Sequence, residues 1–394
     1  MDRSSSKDHI GTRVMPVGYS NRKIAMVIMI MTCCMSFGCR QAKQTRSSDM
    51  KWLDPASMAF PVIEGRGWQD GLAAPYDRLP AKARKTVRKD VWIQSERAAG
   101  LHINFLTNAR EIKVRYTVKS TQAMPQMPAT GVSGVDLYAR DGTGHWQWAR
   151  ASYQFGDTIE FHDRNLGIDA SGAECRLYLP LYNEVIWMNI GVPDSAHFDF
   201  KKVVEEKPIV AYGTSIMQGG CASRPGLSWS NILDRSLGER IINLGFASNG
   251  RLEVPVIDLI NEIDAKLYIL DCMPNLIDRN TYSRDEVELR IRRSVDMIRK
   301  SHPGVPILLA EHPCGSPGMN LDTALNARYV EASLPAARMY QVLMKEGMKE
   351  IHLLTAADIG LDTECTVDGT HPNDLGMMRY AEAYARIIRK ILNK

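Results

Sequence analysis

The chain has 394 residues, of which 44% are hydrophobic and 24% charged, and it carries a formal net charge of +4 at pH 7. That length supports two domains of ordinary size, each with its own core, and the composition is that of a globular protein rather than a disordered one. The mild charge, with no basic run interleaved with aromatics, argues against a dedicated nucleic-acid binder.

The N-terminus reads as an address. Arg22 and Lys23 precede an apolar run over residues 24–35, about the length of a signal-peptide core and short for a bilayer span. The following Ser36-Phe37-Gly38-Cys39 resembles a bacterial lipoprotein cleavage site, which would make Cys39 the lipidated first residue of the mature chain. Phe37 stands where a small residue is usual, Cys33 and Cys34 offer competing positions, and an apolar anchor without lipid is the alternative. The expectation is a signal segment over 1–39, a linker over 40–50, and an exported protein, lipid-anchored in the bacterial envelope or periplasmic. The polar stretch before Arg22 leaves Met15 as an alternative start.

Five cysteines lie beyond Cys39, none in CxxC spacing, so neither a zinc site nor a redox motif is indicated. An odd number leaves at least one thiol unpaired, with a single disulfide still open.

Residues 51–204 read as strands separated by turns. Residues 101–106 alternate in part, 112–118 alternate cleanly, and 134–140 form a strand ended by the turn pair Asp141-Gly142. Residues 146–153, 158–162, 176–179 and 184–191 continue the series, and the absence of a long amphipathic helix predicts an all-β sandwich. Trp146 and Trp148, two apart in a strand, share a face; sugar stacking and core packing explain them equally well.

From 205 to 394 the grammar becomes strand, loop, helix. Strands are predicted at 208–212, 241–244, 266–270, 305–310 and 351–354, with helices at 230–238, 286–300, 334–346 and 373–392. This alternation implies a parallel sheet covered on both faces, with chemistry at the carboxyl ends of its strands.

Those ends carry the polar residues. The first strand runs into Gly213-Thr214-Ser215-Ile216, where a serine on a tight turn can present its hydroxyl, or can simply cap a helix. Asp368-Gly369-Thr370-His371 places a carboxylate and an imidazole three residues apart on one loop. The carboxylate can fix the tautomer of an imidazole that accepts a serine proton, although Asp-Gly is also a common turn pair. The second strand ends in a Gly-flanked turn over 243–250, and the third in a segment bearing Asn275; both could supply donors to a developing oxyanion. No second histidine sits at ligand spacing, so a metal is not expected.

Taken together, and in the chain order serine, donor turn, asparagine, Asp-x-x-His, these blocks resemble the SGNH hydrolases, the GDSL-type esterases. Gly134-Val135-Asp136-Leu137-Tyr138 resembles the GxDLY signature of a jelly-roll-like domain that precedes certain members. Tyr212-Gly-Thr-Ser215 and Gly219 to Gly226 resemble a two-domain bacterial subgroup. The resemblance implies a flavodoxin-like hydrolase domain after the sandwich, with Ser215 as nucleophile and His371 as its base, oriented by Asp368. It implies an oxyanion hole from Ser215, Ser248 and Asn275, with Gly245 as fallback, and no cofactor. Thr214 replaces the aspartate of the common GDS pattern, and Ser248 stands where glycine is usual, which brings strain if that turn needs φ > 0. The expected substrate is an acyl ester, acetyl on a glycan, by analogy of domain company. The alternatives are a lipid or aryl-ester hydrolase, which Met217, Met273 and Met319 near the loops keep open, and a non-catalytic glycan-binding lipoprotein.

Overall fold

Where apolar and polar side chains alternate along an extended chain, one face can be buried and the other left wet. The computed structural model describes residues 49–393. The expected signal segment 1–39, with Cys39, and nearly all of the linker 40–50 lie outside the described residues. Alternation builds the first half of the described chain from β1 (Met50–Leu53), β2 (Ile63–Glu64), β3 (His102–Thr107), β4 (Glu111–Val118), β5 (Asp136–Arg140) and β6 (Trp146–Trp148). It continues through β7 (Ala151–Gln154), β8 (Ile159–Arg164), β9 (Ala173–Tyr178), β10 (Val185–Pro193) and β11 (Phe198–Phe200). One antiparallel sheet has the order β1-β10-β4-β8-β7, and the other β11-β3-β9-β5-β6, with β2 beside β3. Ile112, Val114 and Tyr116 of β4 turn inward to meet Ile103, Phe105, Leu137 and Leu177 between the sheets. The expected sandwich is thus present.

Two details differ from the sequence reading. Residues 146–153 are not one strand. Trp146–Trp148 pairs with β5, while residues 151–154 pair with β8 in the opposite sheet, and the chain crosses at Ala149. Alternation carries no mark of such a crossing, because both pieces keep the same period. In addition, Leu79, Ala83, Val87, Val91 and Trp92, the last two on helix α1 (Lys89–Ser95), do not join the sandwich core. They pack against Ile242, Leu244 and Ile257 of the second half.

A short helix, α2 (Ala129–Val132), precedes β5, and the parallel sheet follows the sandwich. Its strands are β12 (Ile209–Gly213), β13 (Ile241–Gly245), β14 (Leu267–Asp271), β15 (Ile307–Ala310) and β16 (Ile351–Leu354), in the order β13-β12-β14-β15-β16. The helices are α3 (Ser215–Gln218), α4 (Trp229–Leu237), α5 (Val254–Ile260), α6 (Arg284–Ser301), α7 (Thr323–Lys345), α8 (Ala356–Ile359) and α9 (Asp374–Ile391). Val210, Tyr212, Tyr268 and Leu270 face α5, α6 and α7, whereas Ile209, Ala211, Leu267 and Ile269 face α4 and α9. Both faces of the sheet are therefore dry, as a parallel sheet requires. The strand order is the flavodoxin-like one, whose switch point falls between the first and third strands of the sheet. Gly213 pairs with Gly245 on one side and Asp271 on the other, so three strand ends emerge side by side there.

Helix α7 begins at Thr323, eleven residues before the expected start at 334, and continues through Pro335. A proline inside a helix leaves the carbonyl four residues before it without its N–H. Here that carbonyl belongs to Glu331 and accepts a hydrogen bond from Arg279 Nη2 at 2.9 Å.

The two halves meet at the GxDLY strand. Asp136, only 4% exposed, accepts hydrogen bonds from Trp148 Nε1 at 2.6 Å, Arg224 Nη1 at 2.5 Å and the Gly226 N–H at 2.8 Å. A Cβ on Gly226 would lie 2.4 Å from the Tyr138 ring and 2.5 Å from Asp136, so the glycine is what lets the loop approach. Removing one member of a buried ion pair strands the other charge. Asp136→Ala is therefore expected to lower stability by about 3 kcal/mol or more in urea unfolding; an unchanged midpoint would contradict this reading of the seam.

Candidate active site

The turn after β12 is set by close packing. A Cβ on Gly250 would sit 2.2 Å from the Gly213 carbonyl oxygen, so the turn after β13 can press on the turn after β12 only with glycine there. Thr214, fully buried, caps α3 by accepting the Ile216 N–H at 3.3 Å. The threonine thereby fills an N-cap position that aspartate also favours. Ser215 is the first residue of α3, and its own N–H has no acceptor among the described residues. Its carbonyl is pinned from two sides, by the Gly220 N–H at 2.8 Å and the Tyr182 hydroxyl at 3.0 Å.

The loop between α8 and α9 delivers the partners. Ser215 Oγ lies 2.8 Å from His371 Nε2, and His371 Nδ1 lies 2.8 Å from Asp368 Oδ2. Asp368 Oδ1 also accepts the backbone N–H groups of His371 at 2.8 Å and Thr370 at 3.1 Å. Partial burial works to raise the Asp368 pKa, but the His371 side chain and these backbone donors outweigh it and hold it at about 2. The carboxylate thus stays ionised across ordinary pH and claims the Nδ1–H, which leaves the Nε2 lone pair for the serine hydroxyl.

The donor turns are placed as follows. Ser248 is in the left-handed region at φ 61, so the turn does need φ > 0 and the strain that follows for a non-glycine residue is present. Among the described residues its N–H has no acceptor. Asn275 Oδ1 accepts the Gly250 N–H at 3.0 Å, which ties the two turns together and leaves the Nδ2 donor of Asn275 uncommitted. The fallback, Gly245, is not available: its N–H is held by Asn243 Oδ1 at 2.9 Å, and a Cβ there would meet Gln218 N at 2.3 Å. It is a packing glycine.

Several supports escaped the sequence reading. Arg78, wholly buried, donates to the carbonyls of Asn243 at 3.0 Å and Gly245 at 2.9 Å, and lies over the Phe246 ring. Burial pushes its pKa down to about 9. Asp271 accepts from the hydroxyls of Tyr380 at 2.6 Å and Tyr384 at 3.0 Å, and burial pushes it up to about 6 against those two bonds. His312, fully buried, stacks on Tyr329 at 4.1 Å, and the Tyr329 hydroxyl bonds Thr370 in the His371 loop. Burial first, then the neighbouring His371, lowers His312 to about 3, so it stays neutral. Asp271 and His312 sit at or just beyond the ends of β14 and β15, where the strand-end rule would have found them. No sequence signal marks Arg78 or Tyr182, whose partners are backbone carbonyls remote in the chain.

All five described cysteines are free and buried. Among the described residues no group of His, Cys, Asp or Glu could hold a metal ion, and no helix is long and apolar enough to cross a membrane.

Residues 206–389 match the GDSL-like lipase/acylhydrolase family, and residues 50–198 match the N-terminal region of SGNH-hydrolase-type esterases. A solved structure named as a GDSL-like lipase from Bacteroides ovatus ATCC 8483 is similar to this chain at 32% identity and a TM-score of 0.78, over 88% of this chain and 98% of that one. The chain therefore belongs to the GDSL-like lipase/acylhydrolase family, and it is an ester hydrolase of the SGNH type. The fold is shared, at 22% identity and a TM-score of 0.67, by a salicylyl-acyltransferase from a tetracycline biosynthetic pathway, over 87% of this chain and 97% of that one. It is shared more distantly by a family 2 carbohydrate esterase with a carbohydrate-binding domain from Corynascus thermopiles (Myceliophthora fergusii), at 13% identity, a TM-score of 0.51, and 75% and 94% coverage. A comparison with curated proteins gives no match.

The Ser248 strain is open to test. Ser248→Gly keeps the backbone N–H and removes the left-handed penalty, so it is expected to raise unfolding stability by about 0.5 kcal/mol with activity retained. A loss of stability would mean that the serine side chain is what holds the turn.

Proposed function

We propose that Ser215 is the nucleophile of a serine esterase, that His371 is its general base and that Asp368 orients His371. The observation that carries this reading is the unbroken hydrogen-bond chain from Ser215 Oγ through both nitrogens of His371 to Asp368. His371 takes the serine proton as Oγ attacks the ester carbonyl. The oxyanion of the tetrahedral intermediate is held by the Ser215 and Ser248 N–H groups and by Asn275 Nδ2, donors that have no other acceptor among the described residues. His371 then returns the proton to the leaving alcohol, and the acyl-enzyme is hydrolysed by water with His371 again as base. The intact chain of residues favours catalysis over a glycan-binding role alone.

The substrate we propose is an acetyl ester on carbohydrate. Met217, Met273 and Met319 support a short acyl group, because they are 0%, 2% and 6% exposed and belong to the cores rather than to an apolar cleft. A protein that shares the fold at 13% identity is named as a carbohydrate esterase, which supports the carbohydrate part of the proposal. The same proposal puts the enzyme outside the cytoplasm, tethered through Cys39, and this part rests on the sequence of residues 22–39 alone.

The test is hydrolysis of p-nitrophenyl acetate against p-nitrophenyl octanoate. Acetate is expected to be preferred, with Ser215→Ala lowering kcat by about 10^4-fold or more and Asn275→Ala by about 10^2-fold. A preference for octanoate would move the substrate to lipids, and equal rates for wild type and Ser215→Ala would remove the nucleophile assignment. The acid limb of kcat/KM is expected to have a slope of one. Asp368, held at about 2 by its bonds to His371 and the loop backbone, stays ionised throughout and adds no second group to that limb. A slope of two would contradict the Asp368 assignment.

A further inference from the structure

At the open end of the sandwich, between β5–β6 of one sheet and β7–β8 of the other, lies a cavity of about 470 Å³. None of the residues assigned to ester chemistry lines it. Its wall includes Trp148, Tyr153, Phe161, Asp163, Leu177 and Arg224. We propose that this cavity binds a neutral pyranoside unit of a glycan, at a site separate from Ser215.

Three observations carry the inference. Trp148 and Tyr153, large apolar rings, are 48% and 56% exposed, although both lie beside an interior that could have covered them. Each is nevertheless fixed. Trp148 donates Nε1 to Asp136 at 2.6 Å and carries the Arg224 guanidinium 4.4 Å from its ring centre, while Tyr153 stacks on Phe161 at 5.3 Å. Rigid exposed aromatics offer a face to polarised C–H groups at little entropic cost. The third observation is Asp163, which takes the inward position after Ile159 and Phe161 along β8, where the pattern calls for an apolar residue. It is 2% exposed, and its Oδ1 has no hydrogen-bond partner among the described residues. A buried polar atom left without a partner is costly, so one that persists on a cavity wall marks a place where a ligand can bond.

The chemistry selects the ligand. Aromatic faces beside a carboxyl group fit a ring that is apolar on its C–H faces and carries hydroxyls at its edge. Burial, then the nearby Asp136, raises the Asp163 pKa to about 7, so near neutrality its carboxyl can either accept from or donate to a hydroxyl. An anionic ligand would meet Asp163 and Asp136, and the Arg224 charge that could offset them is already paired with Asp136. A lipid chain would bury Asp163 against hydrocarbon. The volume suits a small ligand of one or two rings. Arg224 also belongs to the loop whose Gly220 packs on His371, a Cβ at Gly220 falling 3.3 Å from His371 Cδ2, so a glycan held here would touch the same loop as the candidate active site.

The inference needs no ester, and its test uses none. Calorimetric titration of the full chain with cellohexaose and with xylohexaose is expected to give saturable binding, with the anionic hexagalacturonate giving none. Tyr153→Ala, which removes a half-exposed ring, is expected to weaken that binding by about tenfold and to leave kcat/KM on p-nitrophenyl acetate unchanged. Asp163→Leu is expected to weaken binding likewise while keeping or raising stability. Absence of saturable binding to both neutral oligosaccharides would overturn the proposal, as would undiminished affinity in Tyr153→Ala or tighter binding of hexagalacturonate. Hydrolysis of p-nitrophenyl acetate reads the esterase assignment independently, so the two can fail separately.

Discussion

A carboxylate can leave water only where other donors replace it, and the sandwich and the hydrolase fold are joined through one that does. Asp136 finds three donors, the Trp148 indole, the Arg224 guanidinium and the Gly226 N–H, two of them from the loop that follows α3. That loop is pinned again where Ser223 bonds Asp374 at the start of α9, through its N–H at 2.9 Å and its hydroxyl at 2.6 Å. Just before these anchors in the chain, Gly220 lies against His371 and holds the Ser215 carbonyl. The GxDLY strand is thus a support of the site and more than a neighbour of it.

The parallel sheet does the rest by convergence. Strand order brings the ends of β12, β13 and β14 side by side, and each end is then fixed by a different device. Thr214 caps the first. Arg78 holds the carbonyls of the second, and two tyrosines of α9 hold the Asp271 carboxyl at the third. Buried polar groups of this kind are expensive where a partner is missing, and Asp271 Oδ1 has none among the described residues. The left-handed Ser248 is a local penalty, and it falls on a turn whose backbone N–H is left uncommitted among the described residues.

Much of this was legible in the chain because its periods are simple. Clean alternation at 112–118 and short apolar runs before glycine or polar loops mark the sandwich strands and the five parallel strands. Short pieces such as β2 and β11 carry too few residues for a period to register. The crossing at Ala149 and the passage of α7 through Pro335 depend on what lies opposite in space, in the second case a single arginine from another loop. Spacing and strand ends made Ser215, Asp368 and His371 candidates, the order of the blocks and the family resemblance selected them, and the structure brings the three together. Arg78 and Tyr182 could not be picked, since what they bond is backbone, and backbone leaves no mark in a sequence. Trp146 and Trp148 are not core residues, nor do they form one stacking pair, since Trp148 borders the sandwich cavity and Trp146 does not. Arg140 and Arg176 lie over Trp146, and Arg224 lies over Trp148.

The central claim is that Ser215 is activated by its contact with His371 rather than being a capping serine that happens to lie near a histidine. Reaction with a fluorophosphonate probe, followed by peptide mapping, tests this most directly, because only an activated serine hydroxyl reacts. The account predicts stoichiometric labelling on Ser215 that is lost in His371→Ala while the fold is retained. Labelling that is absent, or that survives loss of His371 unchanged, would contradict it.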